Sequence, residues 1–287
     1  MAQSPSHKFG QIIGDMLETM IYGPLKDVST KHGLYLDFKH ARAARDNRKK
    51  VCWKDNKGNN HDLDYVLEAE GNENRMGIPK AFIESAWRRY TKHSRNKVQE
   101  MQSAIVPLAQ TYSDYHPFLG VVLAGVFTDG SLRQLRSHGF KILYFPYESI
   151  ISAFACVGID AEFGEDTPDA EIQKKVSAYE SLTERQRKRI RKKLLSLHER
   201  ELGEFLDSLS LSLNRSIERV HVLTLHGDKF DVSTVEEAVQ LVQAYDENTS
   251  ASCFVRYEII VRYSNGDRVT GEFEEKQGAL GFLSSMT

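Results

Sequence analysis

The sequence predicts an α/β fold, a mixed sheet flanked by helices, with a C-terminal helical plus α+β extension, and three observations carry that prediction. Residues 118–126 form a continuous apolar run, the signature of a strand buried on both faces. A second apolar run, 140–145, follows a short helical stretch, and strand–helix–strand with short links makes a parallel crossover. Upstream, residues 64–68 and 81–87 flank a turn-forming segment with Gly71, Asn72, Gly77 and Pro79, which predicts an antiparallel hairpin.

In order along the chain, residues 9–22 have helical spacing. Ile12, Ile13, Leu17, Met20 and Ile21 share a face, and Gly23-Pro24 is expected to stop the helix. A basic stretch over 39–50 leads to strands at 51–53 and 64–68, separated by a turn at 55–59. After strand 81–87, Ser94 is the expected N-cap of a helix to about residue 112, with Val98, Met101, Ile105 and Leu108 spaced for burial. Pro107 is expected to kink or end it. Thr128 to Ser131 caps a short helix that Gly139 closes, and 149–157 is helical.

Residues 164–169 read as a linker and 170–215 as helical, with a basic run from Arg185 to Lys193. A strand (220–225), a helix (234–245) and a hairpin follow. The strands 254–263 and 268–273 flank Asn265-Gly266, a type I′ turn signal. No internal repeat is evident. The chain therefore divides into a core (1–163), a linker and basic helical segment (164–219), and a small α+β domain (220–287) for dimerisation or recognition.

Composition narrows the function. The chain of 287 residues is 40% hydrophobic and 10% aromatic, enough for a real core. Its 38 basic and 40 acidic residues leave a net charge of -2, which excludes a general polyanion-coating protein. Any nucleic-acid binding must come from local patches. Cys52, Cys156 and Cys253 show neither zinc spacing nor a disulfide framework, as expected in a reducing cytoplasm. Residues 1–8 lack the apolar run of a secretory leader. No apolar run approaches the ~20 residues that span a bilayer, so no membrane partner is expected.

The chemistry-bearing residues lie on the predicted hairpin. Asp64 on one strand and Glu84 on the next can converge on one ion, with the Ser85 carbonyl a natural third protein ligand. Mg²⁺ takes oxygen ligands, one or two carboxylates with water and phosphate oxygens completing the octahedron. Glu84 sits between Phe82-Ile83 and Ala86-Trp87, where a carboxylate needs a metal or a cation; the plain alternative is an ion pair with Arg88 or Arg89. Asp62 and Asp64 can equally be solvated on one strand face, and Glu68 and Glu70 read as surface residues. Arg88, Arg89, Lys92, Arg95 and Lys97 place five basic side chains in ten residues, suited to phosphate. His61 and His93 can act as acid or base or be polar surface residues. The 185–193 run is either a solvated helix face or a sequence-blind DNA contact through residues such as Arg187 and Arg191.

This arrangement resembles the PD-(D/E)XK nuclease superfamily, with its restriction-endonuclease-like fold. Asp64-Tyr65-Val66-Leu67 looks like the first motif, Ile83-Glu84-Ser85-Ala86 like the second, and Glu18 in the first helix like the accessory glutamate of many branches. The likeness covers residues 9 to about 155. It departs at two places: Leu63 precedes Asp64 where the family has Pro, and Ala86 stands at the lysine position. Some members carry that lysine on the following helix, where Lys97 or Lys92 can supply it; Lys97 is preferred. The resemblance implies a Mg²⁺-dependent endonuclease, with Mn²⁺ able to substitute, acting on double-stranded DNA in prokaryotic defence. Asp64, Glu84 and Ser85 would hold metal, and Arg88, Arg89 and Arg95 would contact phosphate. A homodimer and a cognate DNA methyltransferase are the implied partners. A catalytically inactive DNA-binding or assembly subunit is the alternative that Ala86 favours. A nuclease acting on RNA, or on branched or modified DNA, is a narrower rival.

Overall fold

Apolar spacing carries the first helix past its expected stop. In the computed structural model, which describes residues 4–225, 228–248 and 254–286, α1 spans Pro5–Lys31, with Ser4 as N-cap and Pro24 inside it. Gly23-Pro24 does not end the helix. Proline removes one backbone bond at a cost of about 3 kcal/mol. Leu25 and Val28, one turn on, are buried, each contributing roughly 1.5–3 kcal/mol.

The described residues form two units, Met1–Thr111 with Phe118–Ser210, and Tyr112–Pro117 with Leu211–Thr287. In the first, β1 (Tyr35–Asp37) precedes a small two-stranded sheet, β2 (Val51–Lys54) with β3 (Asn60–Leu63). The 55–59 turn therefore joins β2 to β3, not to the 64–68 strand. Asp55 closes that turn by accepting from the Lys57 and Asn59 N–H groups at 2.9 and 2.8 Å.

The chain then enters the main hairpin, β4 (Tyr65–Ala69) and β5 (Ile78–Arg88). Helix α2 (Thr91–Thr111) leads to β6 (Phe118–Gly125), and α3 (Asp129–Ser137), capped by Thr128, leads to β7 (Lys141–Pro146). The sheet order is β1-β4-β5-β6-β7. β1, β4 and β5 pair antiparallel, while β5, β6 and β7 pair parallel through the two helical crossovers. The expected mixed α/β sheet is present. One local expectation fails in α2: Ser94 is not its cap but a buried residue inside it, its hydroxyl donating to the Thr91 carbonyl at 2.8 Å. The helix reaches Thr111, as expected, and Pro107 lies within it without ending it.

Glu68, expected at the surface, is fully buried. Arg42 donates to its two oxygens at 2.6 and 3.0 Å and also pairs with buried Asp37 at 2.8 Å. A side chain on Gly71 or Gly77 would strike the Glu68 carboxylate or the Ala69 carbonyl, so this turn accepts only glycine at both. Asp62, on β3, pairs with exposed Lys50 at 2.6 Å.

After α4 (Tyr147–Ala155), helices α5 (Asp169–Glu180) and α6 (Glu184–Leu197) pack on α1 and on α1 with α4, respectively; α7 (Glu199–Leu213) follows.

The second unit contains β8 (Ile217–Thr224), β9 (Asp228–Val232), α8 (Val235–Ala244), β10 (Tyr257–Tyr263), β11 (Arg268–Phe273) and α9 (Lys276–Ser284). Its sheet order is β11-β10-β8-β9. This unit is an internal repeat, contrary to the sequence reading. Val220 faces Val232 in the first hairpin, and Ile259 faces Gly271 in the second, both positions shifted by 39 residues. His221 and Ile260, also 39 apart, face each other where β8 meets β10, so a pseudo-twofold axis passes between them. Val220, Val222, Ile259 and Val261 form the core with Ala238, Val242, Ala279 and Leu283 of the helices.

Candidate active site

The site forms where β5 outruns its neighbour. β4 meets β5 from Tyr65, opposite Ile83, to Ala69, opposite Ile78, leaving residues 84–88 of β5 without a β4 partner. Backbone groups on that overhang need other partners. The Ser85 N–H donates to Asp64 Oδ2 at 2.7 Å, and the Ser85 hydroxyl donates to the same oxygen at 2.6 Å. Asp64 thereby replaces a ladder partner and is held beside Glu84. A strand residue turns its N–H and C=O to the same edge, so the Ser85 carbonyl is directed toward Asp64 as well.

Alternation along β5 puts Glu84 and Ala86 on one face and Ser85 and Trp87 on the other. Lys97, from the second turn of α2, reaches Glu84 Oε1 at 3.3 Å and Glu100 at 3.6 Å. Only 13% of the Glu84 side chain is exposed, and its Oε2 is buried with no hydrogen-bond partner. Burial, then the charge of Asp64, pushes Glu84 up to about 8, against the opposing pull of Lys97.

Helix α1 brings the third carboxyl. The Tyr65 hydroxyl donates to the Glu18 carbonyl at 2.6 Å, tying α1 to the start of β4. Burial and then Asp64 raise the Glu18 carboxyl to about 7, and Lys39 opposes the rise. Glu18, Asp64, Glu84, Lys97, Arg88 and His93 all line one cleft of about 790 Å³.

The donor set fits a hard divalent cation. Among the described residues no three His, Cys, Asp or Glu side chains form a ready cage. Mg²⁺ does not need one, because it binds through one or two carboxylates and keeps water and phosphate oxygens. A partnerless buried oxygen on Glu84, and two carboxyls raised first by burial and then by the charge of Asp64, are what a cation would relieve.

The other candidates scatter. Glu84 pairs with Lys97 rather than with Arg88 or Arg89. Arg88 lines the cleft and lies 3.9 Å from Glu100. Arg89 also lines it, but its guanidinium is 3.9 Å over the Tyr147 ring and donates to the Phe163 carbonyl at 2.7 Å, which makes it a clamp on that loop. Lys92 and Arg95 are exposed on α2 and do not line the cleft. On α6, Arg187 donates to the Glu180 carbonyl at 3.1 Å and Arg191 pairs with Glu184, both away from the cleft lining. His61 is committed to Asp55 at 3.0 Å.

Two contributions escape the sequence reading. The Ser85 side chain acts on Asp64, in addition to any role of its carbonyl. On α1, His7, Gln11 and Asp15 extend a polar stripe along the cleft from the already expected Glu18. Their spacing of three to four residues on an otherwise apolar helix is the signal that could have found them. Among the described residues no helix is long and apolar enough to cross a membrane. No family model, no curated protein and no solved structure matches the chain.

Proposed function

We propose that this chain is a divalent-metal-dependent nuclease of restriction-endonuclease-like fold that hydrolyses phosphodiester bonds in DNA. One observation carries the reading: Asp64, Glu84 and Lys97 meet at the β5 overhang, in a cleft, although the motif lysine position holds Ala86. An early helix with Glu18, the β4–β5 hairpin and the β5–α2–β6 crossover support the same kinship.

In this reading Asp64 and Glu84, with the Ser85 carbonyl, hold the ion, and Glu18 is an accessory ligand. A bound Mg²⁺ supplies an acidified water and offsets charge on the phosphate. Lys97 donates to the attacking water and orients it from Glu84's side, while Arg88 at the cleft wall meets a phosphate oxygen. Ser85 keeps Asp64 aimed by donating twice to one oxygen. Two strands need two cuts, so a homodimer belongs to the proposal, as do a partner methyltransferase, a role in prokaryotic defence and a cytoplasmic site of action.

The test is incubation of unmodified and modified plasmid and phage DNA with Mg²⁺ or Mn²⁺, beside EDTA and Glu84→Ala controls. Discrete fragments that disappear with EDTA and in the variant support the nuclease. DNA binding by the wild type without cleavage of any substrate favours a catalytically inactive DNA-binding subunit.

A further inference from the structure

Asp64 and Glu18 are shared by a second, smaller pocket of about 260 Å³, whose remaining lining includes Tyr22, Phe38 and Lys39. Its construction differs from that of the cleft. Tyr22 and Phe38 pack with ring centroids 4.9 Å apart, and His40 stacks on Phe38 at 4.4 Å. His40 is itself fixed, through Nδ1 to the Phe38 carbonyl at 2.8 Å and Nε2 to Glu73 at 3.3 Å, so the rings are pre-set. Lys39 is exposed and forms no ion pair among the described residues, and it lines the same pocket as Glu18.

We infer that this pocket is a nucleotide subsite: it takes one unpaired nucleotide flanking the scissile phosphate, its base against Tyr22 and Phe38 and its phosphate on Lys39. The inference rests on the nuclease reading and narrows its substrate. A cation next to two aromatic rings is the combination that single strands select, because every base has a π-face and every linkage a negative charge. Continuity with Asp64 sets the register, since a strand whose phosphate lies at Asp64 and Glu84 must carry its neighbouring nucleotide past one side of Asp64. A base cannot enter a side pocket while stacked and paired. DNA with an unpaired or easily opened nucleotide at the cut is therefore the preferred substrate over a perfect duplex.

The test uses the full chain with Glu84→Gln, in Ca²⁺, and a fluorescent 12-mer of thymidines beside a blunt duplex. Anisotropy titrations across a salt series give affinity and salt slope. Adding Lys39→Met should reduce the single-strand slope by about 0.7, the loss of one phosphate contact. Adding Phe38→Ala should weaken single-strand binding by about tenfold with the slope unchanged. Cleavage by the parent enzyme should be faster on a duplex with unpaired nucleotides than on its fully paired counterpart, and Lys39→Met, an exposed position, should erase that preference. If the parent cleaves DNA while Lys39→Met keeps the wild-type slope and substrate preference, the subsite is refuted and the nuclease stands. If the wild type neither binds nor cleaves any nucleic acid, both fall.

Discussion

Ser85 donates both its backbone N–H and its hydroxyl to one oxygen of Asp64, at 2.7 and 2.6 Å. The residue next to Glu84 thus positions the other carboxylate of the pair. Ser85→Ala keeps the backbone bond and removes the hydroxyl one. The expected loss is about 1–2 kcal/mol in stability, read from urea melts, with cleavage slowed by roughly tenfold as Asp64 loses its aim. A variant as stable and as fast as the wild type would show that the hydroxyl is incidental.

Without metal, pH should act on the fold through Glu84. Its carboxyl is raised from 4.5 to about 8. Between those values the native state binds more protons than the unfolded chain, so this group's contribution to stability falls as pH rises through the window. The melting-temperature difference, wild type minus Glu84→Gln, measured in EDTA from pH 5 to 9, should decline steadily. A flat difference contradicts the burial and repulsion described for Glu84.

Divalent ions should reverse that decline. An ion bound to the native state at about ten times its Kd stabilises it by about 1.4 kcal/mol. Mg²⁺ should therefore raise the melting temperature of the wild type, more at pH 8 than at pH 6, and leave Asp64→Asn nearly unmoved. Equal shifts in both proteins would place the ion elsewhere.

Arg42 and Glu68 are 26 residues apart in sequence and both fully buried. Arg42→Ala strands the Glu68 and Asp37 carboxylates and should cost about 3–5 kcal/mol. Lys50→Ala breaks the exposed pair with Asp62 and should change stability by less than about 1 kcal/mol. Denaturation midpoints of the two variants check the contrast.

The same pair illustrates why part of the fold was hidden in the sequence. The β6 and β7 runs, the Thr128 cap and the hairpin around Asn265-Gly266 are local signals, and each element lies where its pattern says; the turn itself is not type I′, since only Gly266 has a positive φ and Tyr263 closes on Asp267 across three residues. The burial of Glu68 depends on a partner in another element, which no local pattern records. Pro24 and Pro107 lie within helices because apolar side chains beyond them, Leu25, Val28 and Leu108, are buried by tertiary packing. β1 is three residues long, too short to show alternation. The second unit's repeat is written in strand register; its trace in sequence is only Gly227-Asp228-Lys229 beside Gly266-Asp267-Arg268. At the site, Asp64 and Glu84 were legible because carboxylates beside apolar runs stand out, although Asp64 lies at the bend between β3 and β4 and not on a strand as expected. The reach of Lys97 to Glu84 depends on where α2 packs.

The most direct test moves that lysine. Lys97→Met should abolish metal-dependent cleavage, by at least about a hundredfold in single-turnover rate, while DNA affinity stays within a few-fold. Adding Ala86→Lys, which places an amine on the same β5 face as Glu84, should restore part of the rate. Lys97→Met cleaving at the wild-type rate would contradict the assignment of Asp64, Glu84 and Lys97 as one catalytic centre.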